Sequence, residues 1–389
     1  MNDGCYTNGA AHDVLNDAAN LSNAQKRFVS LCISHCASNA GKQAWSPTLG
    51  LFWCLVQKVF GSSEVAKDIT GSAWLEYSEI RWYSTWDLLN DIFMKWPSFE
   101  EVVEKIVTDG VSPANSSKLL GLLRDPRKSW TLRVELSAYI EGLEDLRHLC
   151  YFLEGDGTDM AFHVANRLKA FTDLFPNGQM KTLPSTNQII QRAILWATTD
   201  GGYSVPTMPR APPRSFAAIS EEVRNQVVAE RPRRRAAIQA VHQATFATLS
   251  PAERARREKR ILDSQEKEAR EQELQKALEE EADDTDRPPL TVDEWNAHVV
   301  TVVAPAIEYF TSRLIDSGGD RFLLHELFKG ASVLNPSNAK QLSHAEAMDL
   351  LEKLRAYPAL NRSGDDNIVD KLKKGFGAYK SKCMLVSSF

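Results

Sequence analysis

The chain has 389 residues, of which 43% are hydrophobic and 25% are charged, and it contains nine tryptophans. This composition is typical of a folded protein and excludes wholesale disorder, and the length is sufficient for two or more units with their own cores. Neither a secretion signal nor an apolar run of about 18 residues is found, so we expect an intracellular protein that does not enter a membrane.

The first sixty residues are predicted to contain part of an α/β unit. Residues 28–34, FVSLCIS, are apolar and rich enough in β-forming residues for a short buried strand. Residues 47–60, PTLGLFWCLVQKVF, have the composition of a buried helix.

Residues 61–196 are predicted to form a helical domain. At its entrance, residues 81–86 bring one arginine and three aromatic side chains together where the apolar stripe of an amphipathic helix begins. Helix breaks are predicted at Pro97, 110–113, 125–126 and 154–157. Antiparallel packing is predicted from two apolar stripes, namely Leu132, Leu136, Tyr139, Ile140, Leu143 and Leu146, and Phe162, Val164, Leu168, Phe171 and Leu174.

Residues 197–249 are predicted to be a linker rich in proline and arginine. From residue 210 to residue 260 the chain has twelve Arg or Lys and five Asp or Glu, a net charge of +7, whereas the remainder carries −12. A basic stretch of this kind is typical of nucleic-acid contact or nuclear import, and a solvated linker is the alternative. The basic run itself contains Arg231, Arg233, Arg234 and Arg235.

Two helical segments follow the linker. A capping box at residues 250–253, with Pro251 at the first helical position, predicts an exposed charged helix over 250–286 or a weak coiled coil. Residues 287–389 are predicted to form a C-terminal helical segment, in which residues 291–294 open a helix with an apolar face. His325 lies in an apolar run and is interpreted as a core or boundary histidine whose hydrogen bonds are satisfied.

Three short motifs follow one another in the N-terminal half of the chain. They are a strand end at Asp3, Gly4 and Asn8, a C-x-x-H element at Cys32 and His35, and an RW-x-S-T run that begins with Arg81 and Trp82. The same motifs occur in this order in the hAT superfamily of DNA transposases, and residues 1–174 resemble that family. The resemblance implies a mainly α fold with a partial RNase H-like α/β unit over residues 1–60. A large helical insertion domain interrupts this unit, and a long exposed helix follows.

Strand transfer in this family needs three carboxylates that hold two metal ions. The resemblance assigns only Asp3 to this set, because the first carboxylate would precede Met1 and no counterpart of the third is found before Phe389. It therefore implies an inactive enzyme without a cofactor, since Mg²⁺ would bind only to a complete catalytic domain. It also implies a nuclear protein that binds DNA, with Arg81 and Trp82 in contact with it. A family tryptophan stacks on an unpaired base, and the alternative for Trp82 is a core anchor.

Two further alternatives concern metal binding and function. A zinc site would use Cys32, His35 and Cys36 together with His148 and Cys150, but buried thiols and a hydrogen-bonded imidazole satisfy the same pattern, and we favour that interpretation. The six cysteines show no disulfide framework. The alternative function is a helical protein–protein interaction scaffold that binds no nucleic acid and contacts its partner through the helix at 250–286.

Overall fold

The structure is a computed structural model that describes residues 33–60, 82–154, 160–174, 180–200, 221–223, 225–226, 251–283, 289–315, 322–356, 360 and 367–385. Within these ranges the ordered elements are helices and no strand is present. The prediction of a mainly α fold is confirmed. The predicted α/β unit is not supported, because Ile33 and Ser34, the last residues of the predicted strand, begin a helix, and residues 1–32 lie outside the described part.

Many of the helices begin with proline. The backbone N–H of the first helical residue has no acceptor within the helix, so its absence in proline costs nothing. The helix starts at Pro113 and Pro126, and the proline in the first turn at Pro97, coincide with the breaks predicted from the sequence. No helix in the described ranges combines the length and apolar character needed to cross a membrane. The helices are α1 Ile33–Gly41, α2 Pro47–Phe60, α3 Trp82–Met94, α4 Trp96–Thr108, α5 Pro113–Arg124, α6 Pro126–Gly142, α7 Glu144–Glu154, α8 Met160–Thr172, α9 Pro184–Thr199, α10 Pro251–Asp283, α11 Val292–Leu314, α12 Phe322–Ala331, α13 Pro336–Gln341, α14 His344–Glu352 and α15 Ile368–Leu385, with short 3₁₀ turns at Ser332–Leu334 and Lys353–Ala356.

The larger hydrophobic core is built by α1 to α9, the C-terminal part of α10 and α11. Helix α11 packs against α1, α6 and α9, so it fills the space between the N-terminal helices. Its Phe310 meets Phe171 of α8 edge to face, with ring centroids 5.3 Å apart. Thr291 and Glu294 form a capping box at the start of α11, where the sequence predicted that a helix opens. The core therefore extends across the domain boundary predicted at residue 287.

A smaller core lies among α12 to α15 and the 3₁₀ turns between them. Ser343 and Glu346 form a capping box that starts α14, and Phe376 of α15 is buried among the facing helices. Leu327 of α12 packs against both cores, and α12 also packs on α8, so the two hydrophobic clusters share a boundary.

Helix α10 has the extent that the capping box predicted, but it is not exposed along its whole length. Leu278 is fully buried, and the helix packs on α2. The ammonium of Lys58 donates a hydrogen bond to the side-chain carbonyl of Gln275, and Lys118 forms an ion pair with Glu279 at 2.7 Å. The prediction of an exposed helix is therefore wrong for its C-terminal part, because even sparse apolar residues suffice to attach one turn to a neighbouring core.

Candidate functional site

The residues that the sequence singled out are not brought together in the described part of the structure. His35 lies near the start of α1, and Trp82 is the first residue of α3. The other residues singled out lie outside the described part; they are the predicted carboxylate Asp3, the motif residue Cys32, and the predicted DNA contacts Arg81, Arg231, Arg233, Arg234 and Arg235.

Trp82 is a core residue with 2% of its surface exposed. Its indole ring lies so close to Gly41 that a Cβ atom there would be 2.0 Å from the ring, so glycine is required for this approach. The indole Nε1–H donates a hydrogen bond to the hydroxyl of Tyr139, which is fully buried, and this burial raises the pKa of the phenol. These contacts favour the core-anchor alternative for Trp82, since the ring has no free face for a base.

A stacked group of charged and aromatic side chains joins α3 to α7. The guanidinium of Arg147 lies 4.5 Å from the ring centroid of Trp86 and 4.9 Å from that of Tyr151, and it forms an ion pair with Asp87 at 2.6 Å. The Tyr151 hydroxyl donates to the same carboxylate, and burial together with Asp87 raises the pKa of Tyr151 to about 12. Arg147 thus supplies a cation that stacks on Trp86 and ties α3 to α7.

A buried polar cluster lies at the centre of the larger core, around the fully buried carboxylate of Glu135 in α6. Oε2 of this carboxylate accepts hydrogen bonds from the Ser46 hydroxyl at 2.6 Å and from the Leu49 amide at 3.1 Å, at the start of α2. Oε1 lies 2.6 Å from Nε2 of His298 in α11. The ring of His298 in turn meets Trp295 edge to face at 5.6 Å. One carboxylate therefore joins three helices.

This cluster combines a hydroxyl, a carboxylate and an imidazole, yet its geometry differs from that of a catalytic triad. A triad needs an imidazole that takes the proton of the nucleophilic hydroxyl. Here Glu135 stands between Ser46 and His298, and Ser46 donates its proton to the carboxylate. All three side chains are also buried, which leaves no access for a substrate. The cluster serves to place a negative charge at the positive N-terminus of α2.

Neither Glu135 nor His298 was predicted from the sequence as part of a site. In the sequence, each of them is an ionisable residue beside apolar ones. Glu135 lies between Val134 and Leu136, and His298 precedes Val299. Such a residue faces either solvent or a buried partner, and the pattern of a single helix does not distinguish these cases. The partner of Glu135 is 163 positions away in the chain.

The cysteines of the zinc alternative that the structure describes occupy the core. Cys36 and Cys150 are buried and form no disulfide, and burial raises the pKa of the Cys150 thiol. His148 lies on the exposed side of α7, so its ring faces away from Cys150. In the described ranges, no group of three or more His, Cys, Asp or Glu side chains is arranged to hold a metal ion.

His325 is buried in α12 beside a cleft between α8 and the smaller core. Its Nδ1 has no hydrogen-bond partner among the described residues, so the expectation of a satisfied core histidine is not met at this atom. Both apolar and polar side chains line this cleft.

Comparison with family models, curated proteins and solved structures finds no match for this chain. The resemblance to hAT transposases accordingly rests on the motifs at residues 3–8, 32–35 and 81–85, and it stays a prediction.

Proposed function

We propose that the chain is a DNA-binding protein without strand-transfer activity, and that its basic stretch from residue 210 to residue 260 contacts the phosphate backbone. The observation that carries this proposal is the separation of charge, with +7 on this stretch and −12 on the rest of the chain. Arginine and lysine side chains that neutralise phosphates release condensed counterions, which supplies affinity for any DNA sequence. The resemblance to hAT transposases leads to the same proposal.

Helix α10 supports the proposal because it connects part of the basic stretch to the folded body. Residues 254–260, RARREKR, lie in the first turns of α10, whereas Gln275 and Leu278 lie in the C-terminal part that packs on α2. At 1.5 Å per residue, the basic turns stand about 20 Å along the axis from the attached part. At that distance, physiological salt largely screens them from the acidic body.

The proposal predicts a strong salt dependence of DNA binding. Replacing Arg233, Arg234 and Arg235 with glutamine should weaken binding to duplex DNA, and it should reduce the slope of log affinity against log salt by about 0.9 for each phosphate that is no longer neutralised. Fluorescence anisotropy of labelled DNA between low and moderate salt measures both quantities.

The matched control removes the same charge elsewhere. Lys371, Lys374 and Lys382 are exposed on α15, and their replacement with glutamine should leave the salt slope close to that of the unchanged protein. Equal losses in both variants would mean that only net charge matters. Binding that is absent, or that does not change with salt, would support the alternative of a helical scaffold for protein partners.

The proposal also predicts that the protein does not process DNA. With Mg²⁺ or Mn²⁺ present, the purified chain should neither nick nor join DNA, because a two-metal site needs more than the single carboxylate assigned to Asp3. Gel analysis of supercoiled plasmid and of hairpin substrates checks this. Metal-dependent cleavage that disappears in Asp3→Ala would overturn the proposal of an inactive protein.

A further inference from the structure

The cleft beside His325 has a volume of 710 Å³, within the range of about 300–1,000 Å³ that is usual for small-molecule sites. It lies where α8, the end of α11, α12, α13 and α14 meet. The apolar residues that line it are Ala165, Ile315, Leu342 and Leu350. The polar and charged residues that line it include Asn166, Lys169, Asp173, His325, Lys329 and Gln341.

His325 lines this cleft although only 5% of its surface is exposed. Within the described part of the chain its Nδ1 makes no hydrogen bond, and the nearest carboxylate oxygen, Oε1 of Glu326, is 4.0 Å away. That distance is too long for a hydrogen bond. A buried polar atom without a partner is unfavourable, and Nδ1 itself is enclosed by protein, so the cleft meets other atoms of the ring.

The charges around the cleft favour an anion. Lys169 and Lys329 line it, and Lys353 lies close by on the 3₁₀ turn after α14. Opposing them are Asp173, paired with Lys169 at 3.2 Å, and Glu326, which accepts hydrogen bonds from Lys329 and Lys353. Three cations against two carboxylates leave a positive excess.

The pKa of the His325 imidazole depends on these surroundings. Burial is the main cause that lowers the pKa of His325 to about 4, and the positive charges of Lys329 and Lys353 lower it further, while Glu326 acts in the opposite direction. The ring is therefore neutral at neutral pH and keeps one N–H donor. Burial disfavours a charge of either sign, whereas the positive charges of Lys329 and Lys353 favour a negative charge in the cleft.

We propose that this cleft binds a small organic anion with an apolar body, such as a medium-chain carboxylate. The charged end lies against Lys169 and Lys329, beside the His325 ring. The apolar body lies against Ile315, Leu342 and its neighbours. The described residues that line this site lie outside the sequence of the basic stretch proposed to bind DNA.

The test compares three probes with the full chain by isothermal titration calorimetry. Octanoate carries both the charge and the apolar body, 1-octanol lacks the charge, and inorganic phosphate lacks the apolar body. Octanoate should bind at least about tenfold more tightly than either control, because hydrogen bonds to a charged group are among the stronger contacts in proteins. Equal binding of octanoate and octanol, or no binding of octanoate, would overturn the proposal.

Variants locate the binding. Lys329→Gln should weaken octanoate binding by about tenfold, since it removes a cation from the cleft wall, whereas Lys374→Gln, on the exposed face of α15, should leave it unchanged. Octanoate should also shift the ring resonances of one histidine in a ¹H–¹³C spectrum and raise its pKa above about 4, and this signal should be missing in His325→Gln. Equal effects of the two lysine variants, or a shift that persists in His325→Gln, would place the ligand elsewhere and refute the site.

Discussion

Replacing Trp82 with alanine is expected to lower the free energy of unfolding by about 3–5 kcal/mol, the range for loss of a large buried aromatic side chain. The indole fills the space over Gly41, and its Nε1–H donates a hydrogen bond to Tyr139. Removing it leaves a cavity between α1, α3 and α6 and also leaves the buried Tyr139 hydroxyl without this donor. Urea denaturation followed by circular dichroism measures the change.

Three variants separate packing from hydrogen bonding. Tyr139→Phe removes only the acceptor and should cost about 1–3 kcal/mol, because the indole N–H is then buried without a partner. The loss of stability in Trp82→Phe should lie between the losses in Tyr139→Phe and in Trp82→Ala. Trp53→Ala, at a half-buried tryptophan, should cost less than Trp82→Ala. A Trp82→Ala protein of unchanged stability that binds hairpin DNA more weakly would instead support the base-stacking role implied by the family resemblance.

Replacing Glu135 with alanine is expected to cost a similar amount, about 3–5 kcal/mol, because it breaks a buried polar network by removing its central member. Ser46, the Leu49 amide and His298 would each be deprived of their shared hydrogen-bond partner. The N-terminus of α2 would also be deprived of the negative charge that faces it. Thermal and urea denaturation of the purified variant measure the effect.

A double-mutant cycle tests whether the contact between Glu135 and His298 accounts for this loss of stability. In a Glu135→Leu and His298→Leu double variant, two apolar side chains replace the buried pair, and the decrease in stability should be smaller than the sum of the two single decreases. Additive decreases would mean that Glu135 and His298 act independently, which would contradict the network. His148→Leu, at an exposed histidine, serves as the neutral control.

The helices were largely predictable because their signals are local. Proline and capping residues fix the starts of α5, α6 and α11, and the apolar stripe of α6 is buried where its spacing indicated. The strand predicted at residues 28–34 was wrong for its last two residues. A short apolar run is compatible with a buried strand or a buried helix, and the periodicity of seven residues cannot distinguish them.

The candidate sites were less predictable because they depend on partners distant in the chain. Trp82 was equally compatible with a core and with a DNA contact, and only the approach of Gly41 and Tyr139 distinguishes them. His325 looked like a satisfied core residue, since the apolar run around it does not reveal that α8 and α13 leave a cleft at its ring. The attachment of α10 depends on a single turn whose apolar content is low.

The contact between α2 and α10 joins Lys58 to Gln275, which are 217 positions apart. A chain made from its N-terminus has released α2 long before α10 exists, by about 10–40 s at ordinary translation rates. The same holds for Glu135 and its partner His298 in α11, which arrives later still than α10. Within the described ranges, the apolar surface that α10 and α11 cover is therefore exposed until the last third of the chain has been made. The packing of the N-terminal helices on α11 can therefore be completed only after translation has passed residue 314.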